Sequence, residues 1–162
     1  MSHPGFITKK VQIRFADCDP FGHLNNARYL DYFMHAREDH LREKLDFSIA
    51  EWMEETGFAW VVKEHRIQYL RPVKSNEWVW ISSAIIHQTE MENIVEFGIW
   101  DETHKKLKSL MWSNFQYIDM KTMRPARYQE GVLTKFMPMV IEDSLPPFEG
   151  RAMEMQKRFR VL

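Results

Sequence analysis

The chain has 162 residues, 44% hydrophobic and 14% aromatic, enough for one well-filled core and too short for two ordinary domains. A formal net charge of −1 provides none of the basic surface that nucleic acid demands, so nucleic acid is not an expected partner. The single cysteine, Cys18, excludes an internal disulfide and fits a reducing compartment, and no basic leader or run of about 18 apolar residues is present, so a cytoplasmic protein without a membrane partner is expected.

In chain order, residues 10–15 (Lys, Val, Gln, Ile, Arg, Phe) alternate polar and apolar, the period of a half-buried strand. An acidic turn follows, Asp17, Cys18, Asp19, Pro20, Phe21, Gly22, and then His23, Leu24, Asn25 and Asn26. From there Tyr29, Leu30, Phe33, Ala36, Arg37 and Leu41 recur at helical spacing and predict a helix over 26–44, capped by Asn25 or Asn26. His35 and His40, with Glu38 and Asp39 between them, read as its solvated face.

This order places a strand, an acidic turn and a helix start within a few residues of one another. The unpaired N–H groups of a helix's first turn and its macrodipole favour negative charge, so a carbonyl oxygen near Asn26 and Ala27 would be polarised. Asp19, held by Pro20 and the turn at Gly22, then presents a carboxylate to the carbonyl carbon from the other side. Asp17 and Asp19 share one side of an extended segment; Asp17 either pairs with Asp19 at the site or fixes the turn through backbone N–H groups, the second being the expected role. Asn25 either touches substrate or caps the helix. Asp17, Asp19 and His23 lack zinc-ligand spacing, so no metal is expected, and the acids flanking Cys18 argue against a nucleophilic thiolate.

A short amphipathic helix is expected over 47–56, ending at Gly57. Strands follow over 58–70, 77–88, 93–102 and 106–120, with polar breaks short enough to make antiparallel hairpins. One initial strand, one long helix and four later strands exclude a doubly wound sheet and predict an α+β fold, a curved antiparallel sheet wrapped around one central helix. With a helix on only one face, such a sheet leaves apolar surface for a second subunit, so a homodimer or a dimer-of-dimers tetramer is expected. Trp60, Val62 and His65 are candidates for the wall opposite the helix start, with ordinary sheet packing as the alternative.

Beyond a short helix over 129–136, Pro138, Pro146 and Pro147 break regularity, and residues 151–162 are basic with Met155, Phe159 and Leu162 at helical spacing. The expected organisation is a domain over 1–137 and an extension over 138–162 packed on it or on a neighbouring subunit.

The acidic turn with Gly22, followed by a Tyr/Phe-rich helix, resembles the 4-hydroxybenzoyl-CoA thioesterase family of hotdog-fold proteins. His23, Leu24, Asn25, Asn26 and then Tyr29 are similar to the His, Val, Asn, Asn run of acyl-ACP thioesterases, although Phe21 stands where those enzymes carry Asn. Residues 61–73, ending Ile67, Gln68, Tyr69, Leu70, Arg71, Pro72, and residues 118–125, with Asp119, Thr122 and Arg124, also resemble family landmarks.

The resemblance implies a hotdog fold, a site between subunits, and hydrolysis of an acyl-CoA thioester to free acid and coenzyme A. It makes Asp19 the nucleophile or general base, gives the backbone near Asn26 the polarising role, and leaves His23 to orient Asp19 or a water, or to close the turn. Gly22, Tyr29, Asp17, Asn25, Trp60 and His65 are the substrate-binding candidates. No cofactor is implied, since coenzyme A enters with the substrate, and Lys63, Arg66 and Arg71 are candidates for its phosphates. Two alternatives stand beside this: an acyl-carrier-protein thioester as substrate, and a hotdog protein that binds an acyl thioester without hydrolysing it. Asp19 favours hydrolysis, because a binding module has no need of a carboxylate at a polarising helix end.

Overall fold

The computed structural model describes residues 5–141 and 147–160, without the side chains of residues 159 and 160. Pro146, the Phe159 side chain and Leu162, singled out above, lie outside the described residues. One antiparallel sheet runs in the order β1 (Ile7–Gln12), β3 (Trp78–Gln88), β4 (Glu92–Asp101), β5 (Leu107–Asp119), β2 (Phe58–Tyr69), with a short β6 (Arg124–Pro125) also paired to β5. This is the expected α+β arrangement, with α1 (Tyr29–Leu45) against the sheet's inner face.

The strand sequences have two apolar sides. On β4, Val95, Phe97 and Ile99 point to the inner core with α1, while Ile94 and Trp100 join a second cluster on the outer face. On β3, Val79, Ile81 and Ile85 point inward, and Trp80, Ala84 and Ile86 outward. Helix α1 buries Tyr29, Phe33, Ala36, Arg37, His40 and Leu41, the stripe its spacing dictates. It ends at Asp46, whose φ of 47° is left-handed and whose amide bonds the Leu41 carbonyl. Helix α2 (Ile49–Thr56) starts on Ser48, whose hydroxyl accepts from the Glu51 amide, and stops at Gly57 with φ 73°. Helix α3 (Glu130–Phe136) adds Val132 and Phe136 to the inner core, the Phe136 ring lying 5.3 Å from that of Phe47.

Three expectations are corrected. The first strand stops at Gln12 rather than reaching Phe15, because Ile13 turns fully into the core and exchanges backbone bonds with Asn76 and Glu77; a 3₁₀ turn over Phe15–Asp17 then leaves Phe15 77% exposed. The outer face is not left bare for a second subunit. Helix α4 (Phe148–Arg160) covers it, placing Phe148 edge-on to Trp112 with centroids 5.1 Å apart and burying Met155. His40 is not on a solvated face, since it is 1% exposed with Nδ1 2.7 Å from the Ser83 hydroxyl. None of the helices among the described residues is long and apolar enough to cross a membrane.

Under α4, Arg151 meets Glu96 of β4 through two bonds, Nε to Oε2 at 2.6 Å and Nη2 to Oε1 at 2.9 Å, with both side chains fully buried. The Trp112 indole donates to the same Oε2 at 2.7 Å. On the neighbouring strand position, Gly98 leaves room for the Trp100 indole, which would lie 2.8 Å from a Cβ there and donates to Ser82 Oγ.

Two outcomes follow from these buried polar groups. Glu96→Gln removes the fully buried carboxylate that Arg151 grips through two bonds and leaves it the partly exposed Glu154 at 3.2 Å, and urea denaturation should show a loss of about 3 kcal/mol. For His40, burial first and the Arg37 charge second push the pKa from 6.5 to about 3, so between these values the unfolded chain holds the extra proton and stability falls as pH falls. Denaturation between pH 6.5 and 4 should show a slope approaching about 1.4 kcal/mol per pH unit from this residue, absent in His40→Gln.

Candidate active site

Between β1 and α1 the chain forms a miniature hairpin. Cys18 bridges Leu24, the Asp19 amide donates to the His23 carbonyl at 2.8 Å, and the Asn25 amide donates to the Asp17 carbonyl at 3.0 Å. Facing residues of an antiparallel pair share a side, so Cys18 and the buried Leu24 point to the core while Asp17, Asp19, His23 and Asn25 share the other side.

Asp19 closes the tip. Its Oδ1 accepts from the Phe21 amide at 2.9 Å and the His23 amide at 3.1 Å, and its carbonyl accepts from Gly22, whose φ of 75° is the left-handed value the turn requires. The side chain that fixes the turn is therefore Asp19, not Asp17 as expected. Asp19 Oδ2 takes no partner among the described residues.

Asp17 is tied instead to α1. Its Oδ2 accepts from the Tyr32 hydroxyl at 2.7 Å, that hydroxyl accepts from the Arg14 amide at 2.9 Å, and the Arg28 guanidinium lies 3.9 Å from Oδ1. Burial above all, and the Asp17 carboxylate, push the Tyr32 phenol up to about 12, against the Arg14 amide. It therefore remains a neutral donor across the ordinary pH range.

The helix start differs from a plain α-helical N-terminus. A 3₁₀ turn over Asn26–Arg28 precedes α1, and Asn25 caps it, with Oδ1 accepting from the Ala27 amide at 2.9 Å. Asn25 thus does the capping work, and the Ala27 amide, one of two expected to polarise a carbonyl, is occupied. The Asn26 amide remains without a partner among the described residues. His23 is half-buried, and the hydrogen bonds it makes to the turn are through its backbone.

Tyr29 is buried under this start, edge-on to Tyr69 with centroids 4.9 Å apart, and burial raises its phenol to about 12, with the Asp19 charge a minor contributor. Tyr69, from the end of β2, donates to the Asn26 carbonyl at 3.2 Å and was not singled out for the site. Its only sequence signal was its position in a segment that looked like a family landmark. Tyr32 and Arg28 were missed for a similar reason, since their link to Asp17 spans the turn rather than a local spacing.

Within one chain, Trp60 and His65 do not come to the turn. Trp60 donates to the Tyr128 hydroxyl at 3.3 Å and packs among Phe47, Tyr117 and Phe136, while His65 lies on the same strand with Nδ1 2.8 Å from Ser113 Oγ, its pKa lowered by burial. Of the basic candidates, Lys63 pairs with Glu92, Arg66 with Glu64, and Arg71 with the Leu107 carbonyl. A cleft of about 590 Å³ opens beside the first helical turn, with Asp17, Arg28 and Tyr32 on one wall and Lys9, Lys10 and Trp78 on the other. Asp17 rather than Asp19 borders it. The exposed Phe21 ring stands at the tip of the turn.

The sequence profile of the thioesterase-like superfamily matches residues 13–136. The long-chain acyl-CoA thioesterase FadM of Escherichia coli (strain K12) is 28% identical over 131 residues, 81% of this chain and 97% of that protein. The acyl-CoA thioesterase YbgC of Haemophilus influenzae is 28% identical over 130 residues, 78% of this chain and 90% of that protein. In three dimensions, the DHNA-CoA thioesterase from Staphylococcus aureus superposes with a TM-score of 0.73 at 21% identity, over 82% of this chain and 89% of that one. The profile begins at Ile13, where the chain leaves β1 for the acidic hairpin, and runs through the curled sheet to the end of α3; the chain belongs to the thioesterase-like superfamily and has the hotdog fold.

Proposed function

We propose that this enzyme hydrolyses an acyl-CoA thioester to the free acid and coenzyme A, with Asp19 as attacking nucleophile or as general base for water and the Asn26 amide polarising the carbonyl. The observation that carries the reading is the division of labour within one carboxylate. Oδ1 is held by two amides and fixes the loop, while Oδ2 is uncommitted on a hairpin that runs directly into the helix start. A thiolate leaves without a strong general acid, so an aimed carboxylate and one or a few donors on the developing oxyanion suffice for the chemistry. His23 orients the carboxylate or a water from the facing hairpin position. The acyl-CoA thioesterases named above support the substrate class.

The site is completed in a homodimer. Strand β2 is the last in the sheet, is twelve residues long, and has no partner on its outer edge among the described residues, with Val61 38% and Val62 44% exposed. A long edge whose backbone groups are unpaired is a template for strand addition. Pairing of β2 with its symmetry mate would continue the sheet and set the Trp60 and His65 region of one subunit opposite the turn of the other, the opposing wall that a single chain lacks.

Asp19→Asn retains an oxygen for both amides and so preserves the turn while removing the base. Thiol release from acyl-CoA esters should fall by about 10² to 10⁴, with the thermal midpoint nearly unchanged; release at the parental rate would overturn the role of Asp19. Light scattering should give a dimer for the parent, and Val62→Lys should raise the dimer dissociation constant by more than about tenfold, equivalent to about 1.4 kcal/mol, and lower activity in step with dimer loss. A monomeric, fully active parent would remove the two-subunit site.

A further inference from the structure

Helix α1 carries a second polar feature, deep in the inner core and apart from the acidic turn. Arg37 is 6% exposed, and its guanidinium donates from Nη1 to the thioether sulfur of Met139 at 3.0 Å. No carboxylate or carbonyl oxygen among the described residues accepts from it. A thioether is a weak, uncharged acceptor. The other buried cations are treated differently, Arg151 being paired with Glu96 and Lys108 with Glu77. Charged side chains almost never stand buried without such a partner. Burial brings the Arg37 pKa down to about 10, with Tyr128 acting the other way, so the group still carries its charge at neutral pH.

The charge borders a void. A cavity of about 40 Å³ is lined by Arg37 and Asn93 together with Leu41, Ile49, Trp60 and Phe115. Asn93 is 2% exposed; its amide donates to the Tyr128 hydroxyl at 3.0 Å, and its side-chain carbonyl has no partner. Two polar side chains, each more than nine-tenths buried, are therefore incomplete around one small, otherwise apolar space. That space holds about three water-sized groups, the size of a carboxyl group and its adjoining methylene. Ile49, Trp60 and Phe115 are only half-buried and form its side nearest to solvent.

Building on the acyl-thioester reading above, we infer that this cavity receives the far end of the acyl group and selects acyl chains that end in a carboxylate. The planar guanidinium fork matches a carboxylate in two parallel hydrogen bonds and supplies the opposite charge. Reversal of the Asn93 carboxamide would turn its N–H₂ to the ligand and its oxygen to the Tyr128 hydroxyl, which completes both side chains. The apolar walls accept the methylenes that lead to it.

The test compares straight-chain acyl-CoA esters of increasing length, each with its counterparts ending in a hydroxyl and in a carboxylate, and titrates the free acids and acetate against thermal unfolding. At a matching length, the carboxylate-ended ester should exceed its unsubstituted counterpart at least tenfold in kcat/KM, and the corresponding free dicarboxylate should raise Tm where acetate does not. Arg37→Met, uncharged and of similar reach, should reverse the substrate order and abolish the Tm rise; Asn93→Leu, a second variant, should reduce both. A preference for the unsubstituted or hydroxyl ester at every length, or a Tm rise as large with acetate as with any dicarboxylate, overturns the inference. Hydrolysis of unsubstituted esters without a dicarboxylate effect leaves the activity standing and removes the carboxylate site. A dicarboxylate effect lost in Arg37→Met, with no ester hydrolysed, does the reverse.

Discussion

The structure around the candidate site depends on one carboxylate oxygen. Asp19 Oδ1 gathers the amides of Phe21 and His23, and without that grip the five-residue tip, Asp19 to His23, would have two unsatisfied donors and no fixed direction. The grip sets the register of the miniature hairpin, which sets where Asn25 caps the helix, which in turn sets which backbone donors are spent and which remain. Asp17 then ties the hairpin to α1 through Tyr32, which fixes the turn against the helix start. Within this short segment the structural duty falls on one oxygen of Asp19, and the other is left over.

The two faces of the sheet handle charge in opposite ways. On the outer face, Glu96 and Arg151 satisfy each other with Trp112 as a third partner, a closed arrangement that holds a helix in place. On the inner face, Arg37 has a sulfur and a space. A buried ion pair adds little net stability but is costly to break, so it specifies where α4 sits. Arg37, held by a thioether, makes no such pairing among the described residues, and a carboxylate entering the space beside it, as inferred above, would supply one.

Much of this was legible in the sequence. The Val, Ile, Trp, Phe and Tyr content of β3, β4 and β5, the short polar breaks between them and the Tyr29, Phe33, Ala36, Leu41 stripe predicted an antiparallel sheet around one helix, because strand composition and burial on a period of 3.6 leave their mark locally. Asn25 was readable as a cap for the same reason. What escaped were features defined by distant partners. His40 looked solvated beside Glu38 and Asp39, yet Ser83 of a strand far along the chain takes its Nδ1. The turn-fixing role expected of Asp17 falls to Asp19 because the deciding partners, Tyr32 and the Phe21 amide, differ by the direction of a turn that spacing does not encode. The apolar residues of α4 were visible, but not that they would close the sheet's second face, since residues 138–147 give no periodic signal to fix where the helix returns.

The ion pair beneath α4 also orders events in time. Arg151 lies 55 positions after Glu96, in a helix that follows α3, whereas the sheet and inner core are complete once α3 is in place. During synthesis the sheet would emerge with Trp100, Trp112 and Glu96 still facing water, and its outer surface would be sealed only when α4 arrives. The carboxyl group at the middle of that surface sets a polar group among the tryptophans of the nascent sheet, and the arginine that grips it is delivered by a helix made after the sheet is complete.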